Sequence, residues 1–142
     1  MSITATGDLI IPLLGTPTAV GLARTLAGAR LNKWNCHHIS DDALLIVSEL
    51  VTNAARQTPH EEIRLQVSRD AGGIVIAVWD ASPEIPQARP LPEVTLDDLD
   101  ALDGAFDDPG GRGLPLVQAL SHACGVTKDP TGGKWIWARL SP

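Results

Sequence analysis

Two adjacent segments with alternating or continuous apolar residues constrain this chain most strongly. Ile63, Leu65 and Val67 alternate with polar neighbours, and an Asp-Ala-Gly-Gly sequence at 70–73 leads into the apolar run 74–79. Successive side chains point to opposite faces of a strand, so the first segment predicts a strand with one buried face. The glycines suit the turn that joins it to the next strand. The two segments therefore predict a β-hairpin.

The remaining elements are predicted from apolar spacing and from residues that begin or end helices. They are a strand at 8–14, helices at 16–31, 40–57 and 113–122, and strands at 125–128 and 134–140. Pro17 suits a first helical position, Ser40 suits an N-cap, and Pro59 prevents extension of the second helix. Two helices thus precede the first hairpin and one helix precedes the second. This order predicts an α+β fold with a mixed, mostly antiparallel sheet that helices cover on one face.

A long proline-rich segment separates the two hairpins. Residues 81–111 contain five prolines and many Asp and Glu residues. Such a composition cannot form a core, and the segment is long for a loop in a compact domain. We therefore expect a mobile functional lid within a single domain spanning residues 1–142.

Size, charge and cysteine content exclude several classes of protein. The chain has 142 residues, enough for one ordinary core, and 11 Lys and Arg against 17 Asp and Glu give a net charge of −6. This sign argues against nucleic-acid binding and favours a basic protein partner. No membrane span or signal peptide is apparent, so we expect a cytoplasmic protein. Cys36 and Cys124 are too few for a disulfide scaffold, and the Cys36-His37-His38 tract is a weak metal motif.

The second predicted helix carries a carboxylate and an amide four residues apart. Glu49 and Asn53 lie in the sequence Ser-Glu-Leu-Val-Thr-Asn at 48–53, which places them on the same helix face. Together they can orient water and bind a hard cation. A polar stripe facing solvent is the alternative interpretation, and spacing alone favours it.

Two further motifs follow the first hairpin. Asp80 ends an apolar strand, where a carboxylate on a rigid element can accept a hydrogen bond from the amino group of a base. Gly110-Gly111-Arg112-Gly113 opens the third predicted helix, whose free N–H groups can bind phosphate. The alternatives are an ordinary strand-end aspartate and a flexible hinge. The glycine motif matches neither a P-loop nor a dinucleotide fingerprint.

The order and spacing of these motifs resemble the GHKL family of ATPases, named for gyrase, Hsp90, histidine kinases and MutL. The resembling segments are IVSELVTNAARQT, IVIAVWDASPEIP, GGRGLPLVQALSHACGV and GGKWIWARL. The branch most similar is that of the bacterial anti-sigma serine kinases, and the Asp-x-Ser-Pro and Gly-Arg-Gly-Leu sequences are typical of actinobacterial members.

The resemblance implies a Bergerat-type two-layer α/β sandwich that binds ATP and Mg²⁺. It implies that Asn53 binds Mg²⁺, that Glu49 polarises the attacking hydroxyl and that Asp80 binds adenine. The phosphate side is implied to include four further residues, Gly111, Arg112, Gly113 and Leu114. It also implies a serine/threonine kinase that phosphorylates an anti-sigma antagonist, sequesters a sigma factor and forms a homodimer.

The chain departs from the family pattern at three places. Ser82 and Glu84 follow Asp80 where glycines are usual, and Gln57 replaces a common histidine. Trp135 follows Lys134 on the last strand, where relatives often have a threonine that helps to hold adenine. We therefore expect Trp135 to face the base, where its indole either stacks on the base or occupies the space that the base needs, and to weaken ATP binding. A non-catalytic interaction module with a degenerate nucleotide pocket is the alternative function.

Overall fold

The computed structural model describes residues 2–3, 8–83 and 113–141. The strands are β1 (Ser2–Ile3), β2 (Leu9–Leu14), β3 (Glu62–Asp70), β4 (Gly73–Asp80), β5 (Ala123–Lys128) and β6 (Lys134–Leu140). The α-helices are α1 (Pro17–Lys33), α2 (Ser40–Gln57) and α3 (Gly113–Leu120), and a short 3-10 helix (His37–Ile39) precedes α2. None of the helices in these ranges is both long and apolar enough to cross a membrane.

The strands form one six-stranded sheet in the order β1-β2-β3-β4-β6-β5. Each pairing between neighbours is antiparallel. The hairpins β3–β4 and β5–β6 meet through β4 and β6, whose register pairs Ile74 with Leu140 and Asp80 with Lys134. The end of β4 therefore lies beside the start of β6, although 53 residues separate these two points in the sequence.

The core lies between the helices and one face of the sheet. The buried strand residues on this face include Leu65, Val67, Ile76, Val78 and Ile136, which alternate with more exposed neighbours. The buried helical residues are Ala23, Ala27 and Leu31 of α1, Ile46, Val47, Leu50, Val51 and Ala54 of α2, and Leu114 and Val117 of α3. Helix α2 contacts α1, α3 and β4, so it occupies the centre of the helical layer.

The opposite face of the sheet carries three of the four tryptophans. Trp79 pairs with Trp135 across β4 and β6, and Trp137 lies one step further along the same face. The guanidinium of Arg64 stacks over the Trp79 ring at 4.3 Å. This face, which we call the outer face, is partly exposed and is not covered by the helices described above.

The α+β sandwich with helices on one face confirms the predicted fold class. The prediction of a mostly antiparallel sheet is confirmed for the described strands, but the sheet is not mixed there, because all of their pairings are antiparallel. Strand β1 was not predicted, since two residues carry no readable alternation. Ser40 is the first residue of α2 and not its N-cap, because the 3-10 helix runs directly into α2 and Ile39 takes the cap position.

Candidate functional site

The polar face of α2 carries three residues spaced by one helical turn. Glu49, Asn53 and Gln57 are four residues apart and partly buried, while Leu50 and Ala54 belong to the core face. The Asn53 side chain stands out because its Nδ2 atom is buried and has no hydrogen-bond partner in the described part of the chain. A buried amide without a partner is uncommon in folded proteins and marks a position where a ligand can supply one.

Glu49 is partly buried, and its carboxyl has a raised pKa. Desolvation raises the pKa of its carboxyl above the ordinary value, and the positive charge of Arg56 opposes this only in part. A carboxylate whose pKa is raised binds a proton more readily than a solvated one. The structure therefore places on α2 a group suited to accept a proton from a hydroxyl.

Asp80 lies at the end of β4 on the core face of the sheet. Its Oδ1 accepts a hydrogen bond from the backbone N–H of Ser82 at 2.9 Å and one from Lys134 Nζ at 2.7 Å. Its Oδ2 is buried and has no partner among the described residues. Asp80 thus offers one satisfied and one free acceptor in an environment shielded from water.

Lys134 is the residue that sequence reasoning missed. Its side chain and that of Asp80 are each 1% exposed, and its ammonium also donates to the backbone carbonyl of Ser82 at 3.2 Å. The alternation of side chains along β6 indicates that Lys134 is buried, because Lys134 shares a face with the buried Ile136 and Ala138. The residue directly opposite Asp80 is therefore Lys134.

Trp135 requires a correction. We expected its indole to face the base, but it lies on the outer face, where it pairs with Trp79 and donates from Nε1 to Asp129 Oδ2 at 3.0 Å. The cause is the two-residue period of the strand, which sends consecutive side chains to opposite faces. Trp135 therefore belongs to the outer face and to the turn before β6, while Lys134 faces Asp80.

A side-chain contact links α2 to the segment after β4. The Ser82 hydroxyl lies 3.4 Å from Gln57 Oε1, to which it donates. Gln57 is on the helix face that carries Glu49 and Asn53, and Ser82 contacts both members of the Asp80–Lys134 pair. The contact therefore brings the last turn of this polar face to the end of β4.

The predicted phosphate-binding residues are described only in part. Gly113 is the first residue of α3, and Leu114 is 8% exposed and packs in the core near Val117 and Ile136. Leu114 therefore has a structural role in the described part of the protein. Gly111, Arg112 and Glu84 lie outside the described residues, as does the predicted lid apart from residues 81–83.

The described residues fit an adenine nucleotide at two separate points. Asp80 Oδ2 is a buried acceptor without a partner, and Asn53 Nδ2 is a buried donor without one. The amino group of a base can donate a hydrogen bond to Asp80 Oδ2. The Asn53 side chain can donate from Nδ2 to an anionic ligand or bind the metal of that ligand through its amide oxygen. The two atoms lie on elements that the Gln57–Ser82 contact joins.

Comparison with protein families identifies the family of the chain. The family model described as a histidine kinase-like ATPase domain matches residues 14–140, which extend from the last residue of β2 to the last residue of β6. No curated protein matches the chain significantly.

Proposed function

The chain belongs to the histidine kinase-like ATPase family, and on that premise we propose that it is a Mg-ATP-dependent protein serine/threonine kinase of the anti-sigma type. Membership of the family implies ATP binding. In the proposed activity, the protein phosphorylates an anti-sigma antagonist and sequesters a sigma factor when the unphosphorylated antagonist is absent.

The position of Glu49 and the raised pKa of its carboxyl carry the proposal. Its carboxyl is half-buried, its pKa is raised by desolvation, and it lies one turn before Asn53 on a face that reaches Asp80 through Gln57 and Ser82. A general base works best when its pKa lies near the operating pH, so a raised carboxyl pKa favours proton transfer from a serine or threonine hydroxyl.

Each residue of the site has a distinct role in this proposal. Bound Mg-ATP supplies the phosphoryl group and the positive charge that stabilises it during transfer. Asn53 is suited to hold the metal, since Mg²⁺ usually keeps several waters and takes only one or two protein ligands beside the phosphates. Asp80 accepts a hydrogen bond from the amino group of the base through Oδ2. Glu49 takes the proton of the attacking hydroxyl.

The proposed partners rest on charge and on the resemblance. The net charge of −6 favours a partner with a basic surface, and the segments around Asn53, Asp80 and Gly113 resemble those of anti-sigma kinases. The sigma factor, the antagonist, a homodimer and a cytoplasmic location are parts of this proposal.

A non-catalytic binding module is the second candidate, and one specific observation favours it. Lys134 already occupies Oδ1 of Asp80, and both side chains are enclosed. If the ammonium fills the position of the base, the protein holds its partner without phosphorylating it.

Transfer of labelled phosphate to a captured partner tests the proposal. The tagged protein is used to recover binding proteins from its native cells, and each purified partner is incubated with Mg²⁺ and γ-labelled ATP. We expect label on serine or threonine, with Glu49→Gln slowing transfer by about 10²–10⁴-fold, the usual contribution of a general base. Glu62→Gln is the matched control, because Glu62 is an exposed carboxylate paired with Arg64 on the sheet.

Two results would contradict the kinase proposal. If Glu49→Gln transfers phosphate at the wild-type rate, Glu49 is not the base. If the protein binds its partners but transfers label to none of them, the non-catalytic module is the correct function.

A further inference from the structure

We propose that Lys134 is a second base-binding residue, whose ammonium donates to ring nitrogen N1 of adenine while Asp80 Oδ2 accepts from the adjacent 6-amino group. The inference rests on the proposed nucleotide binding and deepens it. It assigns a binding role to a residue that the sequence motifs did not single out.

The hydrogen bonds of the Lys134 ammonium leave one donor free. An ammonium has three N–H donors and no acceptor. One donates to Asp80 Oδ1 at 2.7 Å and a second to the carbonyl of Ser82 at 3.2 Å. The third has no partner among the residues that the structure describes.

The hydrogen bonds of Asp80 leave one acceptor free. Oδ1 accepts from both Lys134 and the Ser82 backbone, whereas the buried Oδ2 accepts from no described residue. Leaving a buried polar atom unpaired destabilises a protein, and most such atoms in native structures have a protein or water partner. The ion pair therefore presents one unsatisfied donor and one unsatisfied acceptor beside each other.

The ligand edge that satisfies both atoms has a donor next to an acceptor. Adenine has this edge, because its 6-amino group donates and its neighbouring N1 accepts. Guanine in the same orientation presents a carbonyl to Asp80 Oδ2 and an N–H to the ammonium. An acceptor then faces an acceptor and a donor faces a donor, so neither hydrogen bond can form. The pair therefore selects adenine through two hydrogen bonds, and Lys134 contributes the second.

Burial of the pair strengthens this selection. Each side chain is 1% exposed, so a base that reaches the pair meets it with little competition from water. Access requires movement of the residues packed around the pair. A base that lacks the matching donor or acceptor leaves the buried Asp80 or Lys134 group without a hydrogen-bond partner. An unpaired buried group of this kind weakens binding more than the loss of a hydrogen bond in water does.

Calorimetric titration of the wild-type protein with modified nucleotides tests the inference without altering the fold. The ligands are ADP, 1-deaza-ADP, in which a C–H group replaces N1, and purine riboside diphosphate, which lacks the 6-amino group. We expect each analogue to bind about 10–100-fold more weakly than ADP, the range for one hydrogen bond to a charged group. Equal affinity for ADP and 1-deaza-ADP overturns the proposal.

Lys134→Met separates the two contacts. Methionine keeps a similar length but has no donor, so the penalty for 1-deaza-ADP should fall to about twofold or less while the penalty for losing the 6-amino group remains. If both penalties remain unchanged in this variant, Lys134 does not contact N1. If the variant does not fold, the wild-type analogue series still decides.

The same titrations distinguish failure of this inference from failure of the proposed function. Binding of ADP to Lys134→Met but not to wild type overturns the inference, because the ammonium then blocks the base in a site that still binds nucleotide. Absence of ADP binding to both proteins at millimolar concentration overturns the nucleotide-dependent function as well.

Discussion

The Nζ atom of Lys134 lies 2.7 Å from Oδ1 of Asp80, and each of the two side chains is 1% exposed. The residues face each other across the β4–β6 ladder on the helix-covered side of the sheet. A buried ion pair of this kind gives little net stability over an apolar pair, but removal of one partner leaves the other as an isolated buried charge. Replacement of either residue alone is therefore expected to destabilise the fold.

The first prediction is that the effects of replacing Asp80 and Lys134 on the free energy of unfolding are not additive. Asp80→Leu or Lys134→Met alone should each lower the free energy of unfolding by about 3–5 kcal/mol, because each leaves one buried charge unpaired. The double variant should lose far less than the sum of the two. Urea denaturation of all four proteins measures the coupling, and additivity within about 0.5 kcal/mol would show that the charges do not interact.

The second prediction concerns the turn that leads into β6. Gly133 has φ +76°, and a Cβ there would collide with the backbone oxygen of Asp80 and approach the Trp79 indole nitrogen at 2.7 Å. Gly132 has φ +114°, and a Cβ there would meet nothing within 4 Å. Both alanine variants strain the backbone, but only Gly133→Ala adds a collision.

We expect Gly133→Ala to be less stable than Gly132→Ala by about 1–3 kcal/mol, the usual cost of overpacking. Thermal or urea denaturation of the two variants gives the difference. Equal stabilities would mean that the turn moves away from Asp80 at little cost.

The third prediction follows from the raised pKa of Glu49. A carboxyl whose pKa is raised by burial stabilises the fold most when it is protonated, below the pKa of the unfolded chain. This contribution is lost as the pH rises through the folded pKa, so the wild-type protein carries an unfavourable buried charge above it. Glu49→Gln removes that charge and should raise the unfolding temperature at about pH 8 but not at about pH 4.

Scanning calorimetry at the two pH values measures this effect, with Glu62→Gln as the control. Glu62 pairs with Arg64 at the surface and should show no such gain at high pH. A Glu49→Gln difference that is the same at both pH values would mean that burial does not raise the pKa of Glu49.

The fourth prediction concerns the proposed metal ligand. Asn53→Ala should abolish most of the increase in ATP affinity that Mg²⁺ gives, because the metal loses its protein oxygen ligand. Asn53→Asp keeps an oxygen at the same position and should retain a Mg²⁺-dependent gain. Titration of ATP with and without Mg²⁺ provides the comparison, and an unchanged Mg²⁺ effect in Asn53→Ala excludes this residue as a ligand.

The sequence predicted most of the fold because the local patterns are strong. The alternation around Leu65, the apolar run before Asp80 and the polar ends of α2 locate their elements to within a few residues. The sequence also placed Glu49 and Asn53 together, since a four-residue spacing on a helix fixes their relative positions.

The base-binding end of the site was predicted only in part, for two physical reasons. The register between β4 and β6 joins strands that are not consecutive, so no turn in the sequence reveals that Asp80 pairs with Lys134. The two-residue period of β6 does place Lys134 and Trp135 on opposite faces, and buried Ile136 indicates which face is inside. Alignment with the family threonine suggested Trp135, but the alternation of the strand places Lys134 on the inner face.

Titration of the isotope-labelled protein with Mg-ATP, followed by NMR, tests the central claim most directly. The account predicts saturable shifts of the Asn53 side-chain amide and of the Ser82 and Lys134 backbone signals. Gly72, whose N–H donates to Asp70 at the opposite end of β4, should not shift. If millimolar Mg-ATP shifts no signal, or shifts only the indole N–H signals of the outer face, these residues do not form a nucleotide site.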